Sequence, residues 1–163
     1  MNTTNLLLAG VGGQGVLLAS EVLSEAVFLQ GFDVKKSEVH GMAQRGGGVT
    51  SHLRFGDRVY SPLIPTGQAD YLVSFHVEEG AKYEFMLKPE GRKIGPDMAG
   101  VELEGLGRSL NIYLLGALSE ALAIEPENWR KALEQCIKPR FLEVNLKAFE
   151  RGRNCPWMEK LTQ

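Results

Sequence analysis

The stretch "LLLAGVGGQGVLLASEVL", residues 6 to 23, decides the reading of the fold. Residues 5 to 9, NLLLA, form an apolar run that meets glycines before it reaches helical length, so it reads as a buried first strand. From Gln14 to about Leu29 the period becomes helical. Val16, Ala19, Leu23, Ala26 and Val27 make one apolar face, while Glu21 and Glu25 stand four apart on another. Leu17, Leu18, Val22 and Phe28 widen the apolar sector, which suits a helix covered on more than one side. Gly31 stops it. Strand, glycine turn and helix in this order make a Rossmann-like first βα unit.

The turn itself admits three readings. Gly10, Gly12 and Gly15 fall on the G-x-G-x-x-G spacing of a dinucleotide fingerprint. Without β-carbons at Gly12, Gly13 and Gly15 the backbone turns tightly, and the free N–H groups at the helix start form an anion seat. A dinucleotide site also wants a carboxylate at the end of the second strand, about twenty residues on. Asp33 has the distance but stands at the beginning of that strand, and Glu38 has the place but comes late. A phosphate or other anion at Gly12, Gly13, Gln14 and Gly15 is the second reading. The third is a turn that only lets strand and helix pack closely.

Working outward, alternating short apolar runs and helical periods predict one α/β domain over residues 1–163, a three-layer α/β/α arrangement with a mixed, mostly parallel sheet. Strands are expected near 5–9, 33–39, 49–55, 58–61 and 69–75, and helices near 14–30, 110–123 and 126–137. In VTSHLRF, Val49, Ser51, Leu53 and Phe55 share one side, leaving Thr50, His52 and Arg54 on a wetter one. The Gly56-Asp57 pair signals a hairpin that returns Val59 and Tyr60 antiparallel. VEEGAKYEFML reads as a helix weakened by Gly80. Residues 88 to 109, with five glycines and two prolines, read as a long irregular connection. Leu110, Tyr113, Leu114, Ala117, Leu118, Ala121 and Leu122 then follow helical spacing without a miss. Pro126 opens another helix and Pro139 ends it, and Leu142, Leu146 and Phe149 predict a last short one.

The totals exclude several classes. A net charge of −2, with basic residues scattered and no run longer than Lys35-Lys36, argues against a nucleic-acid binder. The two cysteines, Cys136 and Cys155, make neither a metal set nor a redox pair, and with no signal peptide they suggest a reducing cytoplasm. No apolar run has the length of a membrane span. His40, His52 and His76 lack metal-ligand spacing, so the sequence offers no metal site, and no catalytic residue is assigned.

The second glycine cluster, SEVHGMAQRGGGVTSHLRFG, places His40, Gln44 and Arg45 between flexible glycines at the end of a strand, where open α/β sheets bind ligands. Arg45 has the planar fork to clamp a phosphate or carboxylate. Its bland alternative is a surface arginine bound to a carbonyl. Glu38 and His40 would support the geometry of Gln44 and Arg45.

Taken with LLLAGVGGQGVLLASEVLSEA, this cluster resembles the gamma-type subunit or domain of the 2-oxoacid:ferredoxin oxidoreductases. Within that family the likeness is to the small subunits that act on indolepyruvate. It continues through ADYLVSF, LKP, NIYLLGAL and EVNLKAFERG. The chain departs from the family pattern at His76 and is abbreviated around 88–109. The resemblance implies a cytoplasmic subunit, inactive alone, of an enzyme that decarboxylates a 2-oxoacid, forms its acyl-coenzyme A and reduces ferredoxin. Thiamine diphosphate, magnesium and iron–sulfur clusters would then reside in the large (alpha) partner, this chain holding no cofactor by itself. Coenzyme A would touch the Gly12–Gly15 turn, and HGMAQRGG would face the large subunit. The competing readings are a nicotinamide- or flavin-binding oxidoreductase and a non-enzymatic nucleotide-binding regulatory domain.

Overall fold

The computed structural model describes residues 2–41, 47–99 and 103–156. Five strands, β1 (Thr4–Val11), β2 (Asp33–His40), β3 (Gly48–Gly56), β4 (Ala69–Ser74) and β5 (Leu87–Ile94), form one sheet in the order β2-β3-β1-β4-β5. β1, β4 and β5 are parallel neighbours, and β3 runs antiparallel to both β1 and β2. The helices are α1 (Val16–Leu29), α2 (Val77–Ala81), α3 (Pro96–Ala99), α4 (Leu110–Ser119), α5 (Pro126–Cys136) and α6 (Pro139–Arg153). Short 3-10 turns lie at Glu84–Met86 and Gly107–Ser109.

Strand alternation divides the core in two. Leu6, Leu8, Leu53, Phe55 and Val73 face the layer of α1, α4 and α5. On the other face Leu7, Ala9 and Leu72 lie under Ile64 and Met86. α4 is buried from Asn111 to Ser119, so its helical stripe is only part of a surface covered all round. The widened sector of α1 is covered unevenly: Val22 is buried, whereas Phe28 remains 63% exposed.

Four expectations need correction. No strand forms at 58–61, because both edges of β3 are already taken by β1 and β2 and a returning hairpin strand has no free partner. Residues 57–68 instead lie across the second face. Val59 N–H donates to Asp33 Oδ2 (2.8 Å), Arg54 Nη1 donates to Ser61 O (2.9 Å), and Ile64 N–H donates to His52 Nδ1 (3.2 Å). The irregular connection contains strand β5, which the sequence hides because its polar residues, Pro89 and Gly91 suit only an edge. Its register jumps from Ala69↔Leu87 to Tyr71↔Arg92. The helix after β4 stops at Ala81, with Gly80 set against Ser74. The last helix is long, 15 residues, and begins at Pro139 rather than after it.

His52 ties this loop to the sheet and makes it pH-sensitive. Half-burial lowers its pKa below the usual 6.5. The unfolded chain therefore takes the proton first, so this contribution to stability is complete above pH 6.5. It declines as pH falls from there through the folded value, and is constant below it. His52→Asn keeps an acceptor without the titration. Between about pH 7.5 and about pH 5 the wild-type urea midpoint should fall more than that of the variant. Equal falls would show that the ring is not held neutral.

Candidate functional site at the carboxyl edge of the sheet

The pairings Val11↔Gly48 and His40↔Val49 bring the glycine turn after β1 and the end of β2 to one edge. Between them lies a cleft of about 390 Å³ lined by Gly12, Gly13, Gly15, Leu17 and His40. Gly13 (φ 89°) and Gly15 (φ 76°) hold left-handed conformations that L side chains rarely adopt, which is why glycines stand there. Gly12 N–H donates to Gly47 O (3.0 Å), tying the two glycine clusters together. α1 starts without a side-chain cap and without an acidic residue in its first turn. Its first N–H groups and positive dipole end are thus available to an anion.

Gln14 shapes this turn. Its Oε1 accepts from Val11 N–H (2.8 Å) and its Nε2 donates to Phe75 O (2.9 Å), so the amide joins the ends of β1 and β4. Glu38 is exposed two residues back along β2, shares a strand face with His40 and pairs with Lys36 at 3.3 Å. Gln44 and Arg45 lie outside the described residues. Asp33 stands at the opposite end of β2, paired in register with Gly56. The Val59 N–H and then Lys35 hold its carboxyl below the usual 3.8. It is therefore remote from the turn and serves the 57–68 segment, which removes it as a dinucleotide acid.

His76 caps α2, its Nδ1 accepting from Glu79 N–H at 3.3 Å. Among the described residues no group of three or more His, Cys, Asp or Glu side chains could hold a metal ion. Burial, then Glu25 and Glu21, raises the Cys136 thiol pKa above 9.0, which disfavours the reactive thiolate. No described helix is long and apolar enough to cross a membrane.

The spacing of motifs missed the residues that support the turn from the helical side. Asn111, 3% exposed, donates its Nδ2 to Gly15 O (3.1 Å). Ser109 and Lys138 stand at the starts of α4 and α6 beside Gly13 and Gly15. Two signals were present: a serine just before an apolar helical period, and a proline at a first helical position after Lys138.

The family model for pyruvate ferredoxin/flavodoxin oxidoreductase matches residues 5–155. The indolepyruvate oxidoreductase subunit IorB of Pyrococcus horikoshii is 32% identical over 192 aligned positions, covering 93% of this chain and 95% of that protein. The gamma subunit of a keto/oxoacid ferredoxin oxidoreductase from Geobacter sulfurreducens PCA has a similar structure, with a TM-score of 0.74, 26% identity and 98% of both chains covered. The 2-oxoglutarate:ferredoxin oxidoreductase of Magnetococcus marinus, solved with 2-oxoglutarate, coenzyme A and succinyl-CoA bound, shares the fold at a TM-score of 0.79 and 19% identity. There the match covers 98% of this chain and 32% of that one.

Proposed function

Because the chain belongs to the pyruvate ferredoxin/flavodoxin oxidoreductase family, as a gamma-type small subunit, we propose that it is the obligate partner of a large subunit in an indolepyruvate-oxidising enzyme. The observation that carries the substrate class is the match, over nearly the whole of both chains, to an indolepyruvate oxidoreductase subunit. In the reaction the bond between the acyl carbon and the carboxylate breaks, carbon dioxide leaves and a thioester to coenzyme A forms. Two electrons pass to ferredoxin and one proton is released.

Thiamine diphosphate with magnesium, and iron–sulfur clusters, would supply decarboxylation and electron transfer from the large subunit. This chain's part is positional. The N–H groups of Gly13, Gly15 and the first turn of α1 seat a phosphate of coenzyme A, while those of Gly12 and Gln14 hold the turn to Gly47 and Val11. His40 borders the same cleft, and Gln14 holds the turn against the end of β4. Arg45 and Gln44 are assigned, from the family resemblance, to binding the partner or the ligand. Fixing the thiol's approach and excluding water contribute to rate without a catalytic group in this chain. The exposed Phe28 and Leu17 on α1 offer apolar area to the partner. The enzyme works in the cytoplasm.

The test is reconstitution. The large subunit alone, this chain alone and the two combined are assayed with indolepyruvate, coenzyme A, thiamine diphosphate and ferredoxin. Acyl-coenzyme A formation only in the mixture is the expected result. Full turnover by the large subunit alone makes this chain dispensable, and preference for another 2-oxoacid removes the substrate assignment while leaving the subunit role intact. A nicotinamide-dependent enzyme, the alternative, would show tight NAD binding by this chain in isolation.

A further inference from the structure

The two edges of the sheet are built differently. β5 closes one edge with Pro89, which has no N–H to donate, and with the register jump against Ala69 and Tyr71 of β4. β2, outermost on the other side, has neither device. It pairs with β3 from Asp33↔Gly56 to His40↔Val49 without a break, and it contains no proline. Every second residue of such a strand turns its N–H and C=O outward. Among the described residues, only β3 hydrogen-bonds the backbone of residues 34–40. An unbroken edge of this length is a template for another strand.

The charges on β2 decide which strand fits. A second copy, related by a two-fold axis normal to the sheet, adds its β2 antiparallel, and one residue then stands opposite its own copy. Centred on Lys35 or Lys36, the pairing sets ammonium against ammonium. Centred on Glu38, it sets carboxylate against carboxylate. Centred nearer either end, it overlaps little of the strand. Centred on Ser37, it overlaps residues 34–40 of both copies and places Lys36 opposite Glu38 of the second copy, on both sides of the axis. Lys35 then stands opposite Val39, which is 52% exposed in one copy and is covered by the lysine methylenes. The two serines meet at the axis. Lys36 and Glu38 already pair at 3.3 Å within one copy, so four charges of alternating sign gather there. Charges that only guard an edge repel a strand of their own sequence in every register. These attract one in a single register.

We propose that a second copy of this chain pairs with the free edge of β2, antiparallel and centred on Ser37, joining the two five-stranded sheets into one. Main-chain hydrogen bonds supply the attraction, and the Lys36–Glu38 contacts fix the register. An axis normal to the sheet keeps the helical layers of both copies on the same side. His40 of each copy stands opposite Val34 of the other, so the two glycine-turn clefts lie at opposite ends of the shared edge. The inference rests on the strand alone and not on the subunit reading.

Sedimentation velocity of the full chain over a concentration series tests it. Wild type should pass from monomer to dimer as concentration rises. Lys36→Glu sets carboxylates against each other at both contacts, Glu38→Lys does the same with ammonium groups, and each should weaken the dimer about tenfold or more. Mixed in equal amounts, the two variants should recover the wild-type dimer, because the glutamates of one then face the lysines of the other. Should either variant fold poorly, cross-linking with a short bifunctional thiol reagent reads the register independently. Ser37→Cys should link to its own copy, and Lys35→Cys, which stands opposite Val39, should not. Wild type, with Cys136 half-buried and Cys155 buried, is the control. A chain that stays monomeric at every concentration, or a mixture no more dimeric than its two components, overturns the proposal. If the β2 amides of a monomeric chain gain hydrogen-exchange protection only when the large subunit is added, the edge belongs to that subunit instead.

Discussion

Gly116→Ala should cost at least about 3 kcal/mol of stability, reversing the usual sign of a glycine-to-alanine change inside a helix. In an unconstrained helix interior the same substitution gains about 0.5–1 kcal/mol, because alanine loses less backbone entropy on folding. Here α4 and α6 touch backbone to backbone. A β-carbon on Gly116 would collide with the carbonyl of Phe149 and lie 3.1 Å from the Arg153 nitrogen, and one on Gly152 would collide with the carbonyl of Tyr113. α4 cannot retreat, since it is buried on all sides from Asn111 to Ser119. α6 would have to lift away, disturbing the tilted contact of Phe149 with Trp129 at 5.4 Å between ring centroids. Gly31→Ala is the control, because Gly31 has φ 96° with nothing within 4 Å of the added carbon. Only conformational strain of about 1–2 kcal/mol applies there. Urea denaturation of the three proteins decides the matter: a stabilised Gly116→Ala chain would mean that the helices do not approach this closely.

The close crossing of α4 and α6 also shows where sequence reading ends. Gly116 and Gly152 each sit inside a helical period, and nothing local marks them as partners. The β1–turn–α1 unit was readable because its signals are all local: an apolar run too short for a helix, glycines with the torsional freedom the turn demands, then a helical period. β3 was readable too, and on the face read as wetter His52 and Arg54 do hold the loop, whereas Thr50 is buried. The false hairpin at 58–61 came from a local turn signal that was sound in itself, but strand pairing depends on who else occupies the edge. β5 escaped because an edge strand tolerates Pro89 and needs no alternation when the register jumps. The site was half readable for the same reason. Gly12, Gly13, Gly15 and His40 announce themselves by spacing, while Ser109, Asn111 and Lys138 reach the turn only through the packing of α4 against α1 and of α6 against α4.

That packing makes Gly15→Val the most damaging single change at the site, expected to cost about 3 kcal/mol or more and to abolish anion binding at the turn. Two penalties combine. Gly15 has φ 76° and ψ 30°, a left-handed conformation in which a β-branched side chain is strongly disfavoured. Its new β-carbon would also collide with the Asn111 amide, the group that donates to Gly15 O from the start of α4. Relief requires α1 and α4 to separate at their starts, and that displaces the N–H groups of the glycine turn. Gly13→Ala isolates the first penalty. It has φ 89°, but nothing lies within 4 Å of an added carbon, so it should lose only about 1–2 kcal/mol. Its N–H groups stay in place, and binding of pyrophosphate should survive. Asn111→Ala in the Gly15→Ala background isolates the second: removing the obstructing amide should restore part of the stability lost by Gly15→Ala alone, a positive coupling readable in a double-mutant cycle. Strict additivity of the two changes would mean that Asn111 does not press on the turn, and the turn would then owe its shape to Gln14 and the glycines alone.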